Sequence, residues 1–195
     1  MSGEIDADTL LRAYQMGVFP MADVDESGRE QIDWYAPDPR GVIPLDDFHV
    51  PRGLKRALKK NEYEIRMDTA FPAVIQNCAD REETWISAGI RASYSRLFDS
   101  GWAHSVESWY QGSLVGGLYG VAIGGAFFGE SMFTQRTDAS KVALVHLVNH
   151  LKERGFVLLD TQWSNPHLVQ FGCIEISREQ YAEELAAALQ LDVRF

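Results

Sequence analysis

The chain has 195 residues, is 46% hydrophobic and carries a formal net charge of -10, so it can bury the core of one domain, or of one domain with a small appendage. That composition excludes a disordered chain, and the acidic balance argues against broad coating of nucleic acid while leaving room for one local basic patch. Cys78 and Cys173 lie far apart without metal-site spacing, and nothing reads as a signal peptide or membrane span, so a reducing cytoplasmic setting is expected.

Asp6 or Asp8 can cap a short helix from Leu10 to Met16, which Gly17 should stop ahead of Phe19-Pro20. The acidic run from Asp23 to Glu30 reads as a solvated loop. In Trp34-Tyr35-Ala36-Pro37-Asp38-Pro39-Arg40 two prolines enforce extended or turn backbone behind two aromatics. Packing accounts for such a pair most simply; a stacking platform for a nucleobase, worth about 1–3 kcal/mol per base, is the functional alternative. Next, Arg52, Lys55, Arg56, Lys59 and Lys60 recur at i, i+3, i+4, i+7 and i+8, one basic stripe of a helix with Leu54, Ala57 and Leu58 turned away. It reads equally as a solvated face or as a contact for a phosphate-bearing partner.

Phe71 to Ala79 reads as a helix, Asp80-Arg81-Glu82-Glu83 as a charged connection into Thr84-Trp85-Ile86, and Ile90 to Asp99 as an amphipathic helix ended by Gly101. Ser105 to Tyr110 alternates like a strand, and Gln111-Gly112-Ser113 turns it into the stretch around which the chain is organised, Leu114 to Gln162. There LVGGLYGVAIGGAFFGESMF predicts two antiparallel strands about a Gly124-Gly125 turn. A helix follows with an apolar stripe at Leu144, Leu147, Val148 and Leu151, Asp138 as its cap and Gly155 as its stop. Val157-Leu158-Leu159 then forms a buried strand continued by Asp160-Thr161-Gln162.

Residues i and i+2 of a strand share a face, so Asp160 and Gln162 should point into one space at a strand end, where open α/β sheets place ligands. Satisfying backbone groups at the sheet end explains them equally well. Glu130 can face the same space; flanked by Phe127, Phe128, Met132 and Phe133, its carboxylate must find a partner or stay wet. Beyond this, Ser164-Asn165-Pro166 reads as a loop, and Ser177 to Gln180 as a capping box before a closing helix from Tyr181 to Leu189. His146 and His150 stand at i, i+4, but no glutamate completes HExxH and no third ligand is evident, so no metal is expected. No G-x-S-x-G elbow, cysteine nucleophile context or repeat is present.

WYAPDPRGVIPL, TWISAGIRASYSRL, HSVESWYQGSLVGGLYGVAIGGAFFGESMF, the ASK of RTDASK and LLDTQ, in that order, resemble the leucyl/phenylalanyl-tRNA-protein transferase family over nearly the whole chain. The resemblance implies an α+β fold (an α/β sandwich): a GNAT-like acyltransferase domain with a mixed, mainly antiparallel sheet over residues 61–195, plus a small N-terminal domain over residues 1–60. It implies transfer of Leu or Phe, less readily Met, from aminoacyl-tRNA to the α-amine of proteins beginning with Arg or Lys, which marks them for N-degron proteolysis. Asp160 and Gln162 would relay a proton or position the reacting groups, with Glu130 in the same polar network. Leu118, Phe127, Met132, Leu144 and Leu159 would form the side-chain pocket, Tyr35 and Trp85 would contact the terminal adenosine, and the stripe Arg52, Lys55, Arg56, Lys59 and Lys60 would meet the acceptor stem.

The aminoacyl ester is already activated, so such an enzyme needs no covalent nucleophile, cofactor or metal, only a positioned amine and a route for its proton. Compared with longer members the chain starts late and stops early, Tyr35 stands where tryptophan is more usual, and Thr161 replaces the cysteine of D-C-Q. A monomer is expected, since no strong self-association stripe appears. The rival readings are a GNAT N-acetyltransferase and an aminoacyl-tRNA-binding module without transfer. The first would want a glycine-rich pyrophosphate loop where Gln135 to Ser140 has no glycine. The retained Glu130, Asp160 and Gln162 argue against the second.

Overall fold

The computed structural model describes residues 3–24 and 30–195. In chain order the elements are α1 (Ala7–Gln15), β1 (Phe19–Val24), β2 (Glu30–Tyr35), β3 (Arg40–Val42), α2 (Arg52–Lys60), β4 (Glu64–Met67), α3 (Phe71–Ala79), α4 (Ala88–Asp99), β5 (Ala103–Tyr110), β6 (Ser113–Ile123), β7 (Ala126–Thr134), α5 (Ala139–Arg154), β8 (Leu158–Gln162), α6 (Pro166–Val169), β9 (Ile174–Ile176) and α7 (Arg178–Leu189).

β1 and β2 pair as a hairpin, and the other strands form one sheet in the order β4-β5-β6-β7-β8-β3-β9. Every neighbouring pair in that sheet is antiparallel except β7 and β8, which run parallel and are joined through α5. One face packs apolar residues of α1, α3, α4 and α7; the other packs α5 and α2. The architecture is the expected mixed, mainly antiparallel sheet between helical layers. β3, from the first sixty residues, lies inside the large sheet between β8 and β9.

The central meander folds as its glycines suggest. Gly124 takes φ +55 at the β6–β7 turn, a left-handed conformation that glycine adopts without steric cost. Gly120 serves close approach: a Cβ there would collide with the Phe128 carbonyl oxygen and the Phe127 ring. Gly120→Ala should therefore destabilise the protein by about 1–3 kcal/mol through overpacking, read as a lower urea midpoint with an unchanged slope.

Several local expectations are corrected. Asp138 precedes α5 in a left-handed conformation, φ 63, and makes no capping hydrogen bond; its carboxylate instead holds Lys141 at 2.9 Å. Val157 is 56% exposed and lies outside β8. Ser177 caps α7 by accepting from the Gln180 N–H, but the Gln180 side chain turns to Glu184, so only half of the capping box forms. Of the acidic run, Asp23 is in β1 and Glu30 in β2, and residues 25–29 lie outside the described residues. No helix among the described residues is long and apolar enough to cross a membrane.

Candidate active site

The sheet is closed where β7 and β8 pair, over Ala126–Phe128 and Leu158–Asp160, and beyond that pairing it opens. A cavity of about 280 Å³ occupies this region. Leu118, Met132, Leu144, Leu147, Leu159 and Leu168 form much of its apolar side, and Glu130 and Gln162 are among the polar residues that line it.

A β-bulge sets the direction of Glu130. Tyr119 pairs with Ser131 and Gly120 with Gly129, so Glu130 is the extra residue with no partner across β6. Its carboxylate accepts from the hydroxyls of Tyr14 at 2.7 Å and Tyr94 at 3.0 Å and from Nε2 of Gln162 at 2.9 Å. The two tyrosine hydroxyls also hydrogen-bond each other. Burial pushes the Glu130 carboxyl up to about 7; the two tyrosine bonds pull against that rise and the Asp160 charge adds to it. Both tyrosines are held well above the usual phenol range by burial and then by the Glu130 charge, so they remain donors.

Gln162 reaches Glu130 because the strand ends on it. Its φ of 60 is left-handed, uncommon for a residue with a side chain and frequent at functional sites. Its backbone N–H donates to Asp160 Oδ1 at 2.8 Å, which fixes that turn. Asp160 is fully buried. It takes a two-point contact from Arg40, Nε at 2.9 Å and Nη2 at 2.7 Å, and a third bond from the Tyr181 hydroxyl at 2.6 Å. Arg40 is 1% exposed, donates its remaining Nη1 to the Gly17 carbonyl at 2.8 Å and stacks on Phe19 and Tyr181. A buried ion pair is tolerable only with such saturation of its donors and acceptors.

Asp160 and Gln162 thus belong to one polar network, Arg40–Asp160–Gln162–Glu130–Tyr14/Tyr94, but only Glu130 and Gln162 of the expected polar trio line the cavity. Asp160 lies behind the wall and orders what lines it. Of the expected pocket residues, Leu118, Met132, Leu144 and Leu159 line the cavity. Phe127 does not: it is fully buried one layer back, with its ring 5.5 Å from that of Phe195. Trp85 lines the cavity, whereas Tyr35 packs on Phe19 and Trp163, and it is Trp163, 43% exposed, that reaches the mouth. Met21, Arg81, Leu147, His167 and Leu168 also line it and were not expected from sequence. The stripe Arg52, Lys55, Arg56, Lys59 and Lys60 is exposed along α2, which packs on α5, and none of the five lines the cavity. Among the described residues no group of three or more His, Cys, Asp or Glu is placed to hold a metal ion.

Chemically, the site pairs an apolar recess with a carboxyl whose proton affinity sits near neutrality and an amide donor fixed beside it. That combination suits proton removal from an amine held next to an apolar side chain.

Comparison with known proteins gives this arrangement its context. The family described as leucyl/phenylalanyl-tRNA protein transferase matches residues 42–186, and that family's N-terminal domain matches residues 3–38. The chain is 54% identical over 188 residues to the leucyl/phenylalanyl-tRNA-protein transferase of Gloeobacter violaceus, covering 96% of each chain. It is 56% identical over 189 residues to the protein of the same name from Paramagnetospirillum magneticum, covering 95% of this chain and 90% of that one. Among solved structures, an aminoglycoside acetyltransferase from an uncultured soil sample superposes with a TM-score of 0.42 at 13% identity, over 67% of this chain and 89% of that one.

Proposed function

The chain belongs to the leucyl/phenylalanyl-tRNA-protein transferase family, and from that membership we propose that this cavity joins an aminoacyl group, carried on tRNA, to a protein's N-terminal amine. The observation that carries the mechanism is the Glu130–Gln162 contact at the edge of the apolar recess. The recess takes the aminoacyl side chain, Leu or Phe and less readily Met; Met132 and the leucines adapt to unbranched or γ-branched shapes better than to β-branched or charged ones. Trp85 and Trp163 flank the terminal adenosine, with Tyr35 supporting Trp163 from behind.

In the transfer the amine nitrogen bonds to the aminoacyl carbonyl carbon and the ester C–O bond breaks. The nitrogen's proton passes to Glu130, which returns it to the ribose 3′ oxygen as that oxygen leaves as a hydroxyl. One N–H of Gln162 Nε2 holds Glu130, and the other is free to donate to the carbonyl oxygen where charge develops. Asp160 acts through Gln162 as a positioning residue. Acceptors begin with Arg or Lys, and the reaction takes place in the cytoplasm and feeds N-degron proteolysis. Acetyl-CoA is disfavoured as donor because the loop before α5 lacks glycine and sets the Asp138 carboxylate where a pyrophosphate would approach.

The test is transfer of labelled leucine from charged tRNA to peptides beginning with Arg, Lys, Asp or Glu, with acetyl-CoA as a separate donor. Transfer to the Arg and Lys peptides alone is the expected result; acetylation, or transfer to Asp and Glu peptides alone, would contradict it. The stripe on α2 makes its own prediction. Reversing Lys55, Arg56 and Lys59 together should weaken tRNA binding and flatten its salt dependence by roughly 0.7–0.9 in slope for each phosphate that is no longer neutralised. Unchanged binding across a salt series would remove α2 from the interface.

A further inference from the structure

We propose that Arg136 and Lys141 extend the cationic stripe of α2 toward the cavity, as a phosphate track for the 3′ strand of the tRNA; this rests on the transferase reading above. None of the stripe's cations lines the cavity, and neither do Arg136 and Lys141; these two stand on the β7–α5 connection and in the first turn of α5, ahead of Leu144 in the cavity wall. Between α2 and the loop that enters α5 runs an open groove of about 680 Å³, lined by Arg56, Lys60, Tyr63, Arg136 and Thr137 among others. The Tyr63 hydroxyl donates to the Thr137 carbonyl at 2.6 Å, which ties the loop to the connection between α2 and β4.

Arg136 comes from the β7–α5 connection, not from the stripe. Its guanidinium sits over the Tyr110 ring, 3.7 Å from the centroid, and reaches the Glu62 carboxylate at 3.6 Å, with 40% of the side chain exposed. The aromatic ring orients the guanidinium while leaving edge N–H groups for an incoming phosphate, the geometry in which arginine binds phosphate best. The contact with Glu62 is exposed and long, so a phosphate competes with it at little cost.

Lys141 stands in the first turn of α5, held by Asp138 at 2.9 Å and 31% exposed. It lies one turn ahead of Leu144, a residue of the cavity wall, at i and i+3 on α5. Cations therefore continue from α2 across the groove to Arg136 and on to Lys141 at the start of α5, with the Glu62 and Asp138 carboxylates paired to them. In a chain of net charge -10 such a line is where a polyanion is drawn.

Binding of leucyl-tRNA to the full chain, measured between 50 and 200 mM salt, tests the track with Arg136→Gln, Lys141→Gln, the double variant and Arg136→Lys. Each glutamine variant should reduce the slope of log affinity against log salt by roughly 0.7–0.9, the double variant by about twice that, and Arg136→Lys should keep the slope. An unchanged slope in both single variants would overturn the proposal. So would a loss of affinity in Arg136→Gln at an unchanged slope, since stacking on Tyr110 would then matter and charge would not. Failure of the unaltered protein to bind leucyl-tRNA at all would instead remove the transferase reading on which the track depends.

Discussion

Arg40→Ala should destabilise the protein by about 3–5 kcal/mol, because it strands the Asp160 carboxylate in a fully buried site. Two of the four hydrogen bonds to that carboxylate come from Arg40, leaving only the Tyr181 hydroxyl and the Gln162 amide against an uncompensated charge. Set against a total stability of about 5–15 kcal/mol, this is a large fraction, and the melting temperature should fall by roughly 6–20 °C. The double replacement Arg40→Met, Asp160→Leu should recover much of the loss, since an apolar pair of similar volume carries no desolvation penalty. It should not recover transfer, because the Asp160 oxygen that orders the Gln162 amide is gone. Calorimetry on the three proteins checks this; an Arg40→Ala protein melting like the unaltered one would refute the claim that the pair is a saturated buried ion pair.

Glu130→Gln should lower kcat for leucyl transfer by about 10²- to 10⁴-fold, the usual contribution of a positioned general base. The affinity for aminoacyl-tRNA should change little, since glutamine fills the same volume and its amide oxygen can accept from Tyr14 or Tyr94. A steady-state split into kcat and KM reads this directly, and a rise in KM at constant kcat would make Glu130 a binding group instead. Stability carries a second signature. The folded-state pKa of Glu130 is raised from 4.5 to about 7, so its favourable contribution is fully present below 4.5 and is lost as pH rises through 7. The glutamine variant lacks that loss and should gain stability relative to the unaltered protein in urea melts between pH 5 and 8.

How much of this was legible in the sequence depends on the range over which each feature is determined. The β6–β7 hairpin, α3 and α5 follow from local period and glycine placement, and α3 occupies the residues its pattern predicts. β3 and β9, with three residues each, are too short to show a period; they exist because β8 offers an edge to β3 and β3 in turn offers one to β9. At the site, the i, i+2 rule placed Asp160 and Gln162 in one network, but it could not separate their roles. Arg40, 120 positions earlier, claims Asp160, while a left-handed Gln162 turns out to meet Glu130. Tyr14 and Tyr94 were invisible for the same reason: they lie 116 and 36 positions from Glu130, and nothing local in either helix marks them as its donors. On the aromatic side, packing was the simplest reading of the residues beside the prolines, and Tyr35 does pack, but on Trp163 from the β8–α6 loop, which nothing local singles out.

The central claim is that Glu130, lifted toward neutrality by burial, takes the proton of the attacking amine. It is tested most directly by kcat against pH for the unaltered protein and for Glu130→Gln, with leucyl-tRNA and an Arg-initiated peptide both saturating. The unaltered protein should show kcat rising through an ionisation at about 7 to a plateau, and the variant should be slow with that limb missing. The same limb in both proteins at comparable kcat would contradict the account and give the proton to another group.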